Sequence, residues 1–237
     1  MSEKIIHIAV DPMCSWCWGF APEVHKLRAA ARGLATVRPI VGGLRPGTTE
    51  VMDDAMKQYI SHHWEQVHEK TGQPFDHSLF ERDDFIYDTE PGCRAIVATR
   101  ELAGDEAALD MVDALHEAFY ARGRDIAKTD VLAEVAGERG MDVDAFRTAL
   151  DSDAMKQMTL RDFQIARQLG VTGFPTVVCE ERTGTGEATE SQFAFLTLGY
   201  RPFAGFQPLL AEWLGQAADG DGTDEAEGDF CAPGGAC

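Results

Sequence analysis

Lysine is scarce in this chain: Lys4, Lys26, Lys57, Lys70, Lys128 and Lys156 are the only six in 237 residues. With 40 acidic against 21 basic residues the formal net charge is −19 at pH 7. Such a balance excludes the basic surface that nucleic-acid binding needs. Long hydrophobic runs are missing as well, so no transmembrane helix and no membrane partner are expected. The opening Met1-Ser2-Glu3-Lys4 leads straight into an apolar strand pattern. It has neither the h-region nor the small-residue cleavage site of a secretory signal, and a cytoplasmic location is expected. Internal repeats are missing too. Cysteine is modest, at six residues. In a reducing compartment these read as catalytic or free thiols rather than staples, and a chain of this length buries a core without staples. Abundant Asp and Glu with little Lys suits a surface kept hydrated in high salt, where self-repulsion is screened, although an acidic tail supplies part of the excess.

What is present is a closely spaced pair, Cys14 and Cys17, separated by Ser15 and Trp16. Before it, Ile5-Ile6-His7-Ile8-Ala9-Val10 reads as a buried strand, and Asp11-Pro12 breaks that strand. After it, Phe20, Val24, Leu27 and Ala31 recur at helical spacing. The first sulfur therefore falls at a helix N-terminus, where free N–H groups and the macrodipole favour negative charge. The thiolate is the nucleophile of thiol chemistry. Cys17, one turn on, is placed to attack a mixed disulfide and release the product. A zinc half-site would use the same spacing, but it needs a second knuckle that the chain lacks, so no metal is expected. A disulfide across two residues would be a poor staple. A dithiol–disulfide redox site is the reading that fits.

Thr36-Val37-Arg38-Pro39-Ile40-Val41 supplies a second strand. Two more lie far away, at Pro175–Cys179 and Phe193–Leu198, with the charged, Gly-rich stretch Glu180–Ser191 read as their turn. The intervening pattern is helical; Ala108, Met111, Val112, Leu115, Ala118 and Phe119 form one clean stripe. A hairpin cannot bury its own face, so the late strands must join the early ones. The expected fold is α/β: a thioredoxin-like four-stranded mixed sheet with a large all-helical inserted domain. Residues 1–45 and 170–214 would form the thioredoxin-like domain and 46–169 the helical insertion, with 215–237 a flexible acidic tail ending in a cysteine pair.

Asp11-Pro12-Met13-Cys14-Ser15-Trp16-Cys17-Trp18-Gly19, together with Val171-Thr172-Gly173-Phe174-Pro175-Thr176, resembles the DsbA-like thioredoxin family in its cytoplasmic FrnE-like branch. The resemblance covers roughly residues 4–214 and implies a dithiol–disulfide oxidoreductase or isomerase acting on protein or peptide thiols and disulfides. It also implies that Cys14 attacks, that Cys17 resolves and that Pro175 is a cis-proline facing them. The backbone of Phe174, after Gly173, would then be free to pair with an extended substrate, as in strand addition at an edge. By the residues themselves, Trp16, Trp18 and Phe174 would form an apolar rim around the sulfurs, with core packing of Trp18 the equal alternative. Ser15-Trp16 departs from the Pro-His pair of the periplasmic oxidants. Thiolate stabilisation would rest on the helix N-terminus and backbone donors, with the oxidant, reductant and isomerase directions all open. No cofactor is implied beyond glutathione as a co-substrate. The alternative on the same fold is a glutathione-using isomerase or transferase of the kappa type. From a non-enzymatic class, a metal-binding or chaperone-like module is the other reading.

Cys93 and Cys179 read as small buried hydrophobes. From Gln216 to Gly228 the chain is Gly- and acid-rich, the composition of a tether. It ends in Cys231-Ala232-Pro233-Gly234-Gly235-Ala236-Cys237, where Pro-Gly makes a turn that lets Cys231 and Cys237 close on each other. Three readings stand for this pair: a second dithiol exchanging with Cys14–Cys17, a loose metal-binding tail, or exposed thiols with no role.

Overall fold

Strand β1 (Glu3–Val10) is buried on every residue from Ile5 to Val10, a pattern that requires cover on both faces of the sheet. A computed structural model, describing residues 2–184, 189–216 and 229–235, shows that cover. Helix α1 (Ser15–Ala31) follows β1, and β2 (Thr36–Val41) returns parallel to it. Five helices come next: α2 (Asp54–Thr71), α3 (Glu90–Ala103), α4 (Asp105–His116), α5 (Thr129–Glu138) and α6 (Val143–Asp151). Helix α7 (Asp153–Gln168) leads back to β3 (Thr176–Thr183), β4 (Glu190–Leu198) and α8 (Phe203–Leu214). The sheet order is β2-β1-β3-β4, with β3 antiparallel to both neighbours. On one face, Ile8 and Val10 meet Cys17, Phe20 and Val24 of α1 and Leu109 and Val112 of α4. On the other, His7 and Ile40 face a cavity of about 630 Å³ closed by α3 and α7. This is the expected four-stranded mixed sheet with its helical insertion. Among the described residues no helix is long and apolar enough to cross a membrane.

The helical block is tied to the open edge of β2 by charge. Arg100 on α3 holds Asp162 on α7 through two bonds of 2.8 and 2.9 Å. The same Arg100 donates to the Pro39 carbonyl, and Asp162 accepts the Val41 N–H. Pro39 carries no N–H, which suits an edge strand, and the pair of side chains satisfies two groups such an edge would leave open.

Helix α1 contains Pro22. Proline cannot bond the carbonyl four residues earlier, which leaves the Trp18 carbonyl free. The Gln73 side-chain amide fills that vacancy at 2.9 Å, binding α1 to the end of α2. At the far side, Glu23 accepts the Phe203 N–H at 2.7 Å and so caps α8 onto α1.

One boundary differs from the sequence reading. The stretch after Cys179 does not turn at once; β3 runs on through Glu180, Glu181 and Arg182, paired with Phe193, Gln192 and Ser191 of β4. Charge enters the strand because it is neutralised there: Glu180 is bonded to His7 at 2.7 Å, Arg182 at 2.7 Å and Ser191 at 2.8 Å. Residues 185–188, in the middle of the stretch read as the turn, lie outside the described residues.

Candidate active site

The path from β1 into α1 is set by one side chain. Asp11 Oδ1 accepts the Met13 N–H at 2.9 Å and its backbone carbonyl accepts the Cys14 N–H at 3.1 Å, a closed Asx turn. That turn delivers Cys14 as the N-cap of α1. The Cys14 carbonyl accepts from Cys17 and Trp18, and its Sγ accepts the Cys17 N–H at 3.4 Å. A sulfur in this place does what a serine or aspartate oxygen does at an ordinary N-cap, and the N–H donors there suit a negative charge. In the other direction the Cys14 thiol donates to the Phe174 carbonyl at 3.5 Å. Cys14 and Cys17 are both free thiols and both buried.

Cys17 is 2% exposed. Burial pushes its pKa well up, and the hydrogen bond and charge of Cys14 add to that. A backbone hydrogen bond at Asp11 lowers it, and the negative charge of Asp11 raises it by less. The Asp11 carboxyl is itself raised from 3.8 to about 6 by complete burial, against hydrogen bonds from Leu44 N–H at 2.6 Å, Met13 N–H and the Cys93 thiol at 3.5 Å. Its carbonyl also accepts from His116 Nε2 at 3.2 Å, and burial holds that imidazole at about 4, hence neutral near pH 7. The Tyr87 hydroxyl donates to the Met13 carbonyl. Cys93 is therefore buried, as expected, and it faces the Asp11 carboxylate as well. Sequence reasoning passed over Asp11, His116 and Tyr87. The only signal was Asp11-Pro12 three residues before the thiol, read there as a strand breaker.

The second half of the site is the loop before β3. The Phe174–Pro175 peptide bond is cis, and Thr176 Oγ1 closes the loop onto the Gly173 carbonyl at 2.8 Å. The Phe174 ring lies over Gly42, where a Cβ would come within 1.9 Å of it. Only glycine leaves room for the ring there. Cys14, Cys17, Gly173, Phe174 and Pro175 are thus gathered at one end of the sheet. Both backbone groups of Phe174 are occupied: its N–H donates to the Cys231 carbonyl and its carbonyl accepts the Cys231 N–H, each at 2.8 Å. Cys231 is disulfide-bonded, while Cys237 and residues 217–228 lie outside the described residues.

Trp16 and Trp18 part company. Trp16 is buried with its ring centroid 5.7 Å from that of Tyr200, beside a hollow it shares with Lys70 and Asp229. Trp18 turns into the helical block, stacked on Tyr120 at 6.3 Å with its indole N–H on the Pro74 carbonyl. Among the described residues no three His, Cys, Asp or Glu side chains converge as a metal site would require.

A family model, the DSBA-like thioredoxin domain, matches residues 5–195. Among solved structures, a candidate protein disulfide isomerase from Nitrosomonas europaea is 35% identical, with a TM-score of 0.80, covering 91% of this chain and 99% of that one. The cytosolic disulfide reductase DsbM from Pseudomonas aeruginosa is 25% identical with a TM-score of 0.63, covering 79% and 88%. Among curated proteins, the ClpXP adapter protein SpxH of Halalkalibacterium halodurans is 25% identical over 214 residues, 89% of this chain and 67% of that protein. For SpxH of Bacillus subtilis the identity is 25% over 173 residues, and the match spans only 56% of that protein's length.

Proposed function

The chain belongs to the DSBA-like thioredoxin family, and we propose that it is a thiol–disulfide oxidoreductase in which Cys14 attacks and Cys17 resolves, acting on protein or peptide dithiols and disulfides. One observation carries the reading. Cys14 Sγ stands at the N-cap of α1 between a backbone donor, the Cys17 N–H, and the carbonyl of the residue before the cis-proline. An extended peptide paired to Phe174 would bring its sulfur beside that nucleophile.

The chemistry runs on two sulfurs and needs no bound cofactor. With a client disulfide, the Cys14 thiolate attacks one client sulfur, forming a mixed disulfide and expelling the other as a thiolate. Cys17, deprotonated, then attacks Cys14 Sγ and expels the first client sulfur. Two electrons pass to the client, and the enzyme is left with a Cys14–Cys17 disulfide; the reverse sequence oxidises a client dithiol. Cys17 is the difficult thiol to ionise because it is buried beside negative charge. The Asp11 carboxyl, raised to about 6 by burial, is part of that charge once it ionises.

The test follows a peptide disulfide by mass spectrometry. Cys14→Ser should abolish exchange, and Cys17→Ser should accumulate a mixed disulfide on Cys14. Full turnover by the Cys14→Ser chain would overturn the assignment.

A further inference from the structure

The segment Asp229–Gly235 is seated on the site. The Tyr200 N–H donates to the Asp229 carbonyl at 2.7 Å, and two residues on, Cys231 exchanges both backbone bonds with Phe174. Further along, the Gly234 N–H reaches the Leu44 carbonyl at 2.6 Å. A two-residue interval between paired groups is the period of a strand. Between them Phe230 lies over Gly173, where a Cβ would come within 2.1 Å of the ring, so this glycine is the floor of a seat for an aromatic side chain. The Asp229 carboxylate is 3.6 Å from Lys70. The Phe174 carbonyl accepts from both the Cys231 N–H and the Cys14 thiol, so the two cysteines stand within one hydrogen bond of the same oxygen. Cys14 has no exposed surface and Cys231 has 1%. A thiol that must meet outside substrates is covered, and a disulfide-bonded cysteine lies beside it.

We propose that the segment Asp229–Gly235 is an in-chain client: it fills the strand site that receives substrate peptides, and the disulfide of Cys231 is the intramolecular substrate of Cys14. The proposal rests on the exchange reading of Cys14 and Cys17, and it adds a substrate class to that reading. Preferred outside clients are extended peptides with an aromatic residue immediately before the cysteine and small residues after it, since these reproduce Phe230-Cys231-Ala232. Such clients must displace the tail to bind.

The step balances within the chain. The Cys14 thiolate attacks Cys231 Sγ, the Cys231 disulfide breaks, and its partner sulfur leaves as a thiolate that takes up a proton. The Cys17 thiolate then attacks Cys14 Sγ and expels Cys231 as a thiolate, which is protonated in turn. Cys14 and Cys17 are oxidised to a disulfide and the tail disulfide is reduced to two thiols, with two electrons and two protons transferred and no outside oxidant. Run backwards, the same step lets the tail dithiol reduce a Cys14–Cys17 disulfide left by a client.

Two full-length variants and one kinetic measurement test this. In Cys17→Ser/Cys237→Ser the tail offers Cys14 only Cys231; in Cys17→Ser/Cys231→Ser it offers only Cys237. Both are equilibrated in a glutathione redox buffer and mapped for intramolecular disulfides. Strand seating predicts that the Cys14–Cys231 link exceeds the Cys14–Cys237 link by about tenfold or more, since backbone pairing to Phe174 holds Cys231 at a high effective concentration beside Cys14. Equal yields, or no link, overturn the in-chain client. Every sample is also offered an outside probe, the peptide Gly-Asp-Phe-Cys-Ala-Pro-Gly-Gly carrying a thionitrobenzoate on its cysteine. If Cys14 takes up the probe but links to neither tail cysteine, only the tail proposal fails; if it takes up no probe, the exchange reading fails with it. In the otherwise native chain, Phe230→Ala should lower KM for this probe about tenfold with kcat held, because the competing strand is weakened. An unchanged KM overturns the occupancy.

Discussion

Replacing Asp11 with asparagine should change how stability depends on pH by an amount the structure allows to be worked out. The carboxyl is completely buried, and its pKa in the folded chain is raised from 3.8 to about 6, first by desolvation. A raised carboxyl pKa means that the folded state binds the proton more tightly than the unfolded state. Its contribution to stability is therefore complete at low pH and lost as pH rises from about 4 through 6. At about 1.36 kcal/mol per unit, the loss between pH 4 and pH 8 comes to about 2–3 kcal/mol. An asparagine side chain cannot ionise, so the stability of the Asp11→Asn chain relative to the parent should rise by that amount over the same interval. The amide offers one acceptor where the carboxylate offers two, to the N–H groups of Met13 and Leu44. That loss shifts both ends of the comparison and cancels in the difference. The assay is urea unfolding of both chains at pH 4, 6 and 8, with the tail disulfide held in one state. A constant offset across the three pH values would refute the reasoning, because it would mean that the Asp11 pKa is the same in the folded and unfolded chains.

Three further outcomes are expected. His116, held at about 4 by burial, should stay neutral from pH 8 to pH 5 in an NMR titration, and the chain should lose stability as pH falls from 6.5 towards 4; a midpoint near 6.5 would contradict the burial. Gly42→Ala should cost about 1–3 kcal/mol in chemical denaturation and slow exchange at Cys14, because the added methyl displaces the Phe174 ring and with it the carbonyl facing the thiol. Asp162→Ala should cost about 3–5 kcal/mol, read from the same denaturation curves, since it strands the Arg100 charge and leaves the Val41 N–H without its partner; a loss below about 1 kcal/mol would show that water replaces the carboxylate.

The sequence by itself determined the parts whose signal is local. The branched run of β1, the break at Asp11-Pro12, the helical spacing after Cys17 and the order of elements are all legible within windows of a few residues, because side-chain periodicity follows backbone geometry. That was enough to place two sulfurs at a strand-to-helix turn and to require a mixed sheet around them. What surrounds the sulfurs was decided in three dimensions. Asp11 became a buried carboxyl with a raised pKa only because Leu44 and Cys93, from two other parts of the chain, close over it. Trp18, a near neighbour of the thiols in sequence, was carried away from the rim by stacking on Tyr120. Glu180 stayed in the strand because His7, Arg182 and Ser191 converge on it. The seating of Cys231 on Phe174 is the furthest from sequence: it is made by backbone N–H and carbonyl groups, which every residue but proline carries alike, so no pattern of side chains announces it.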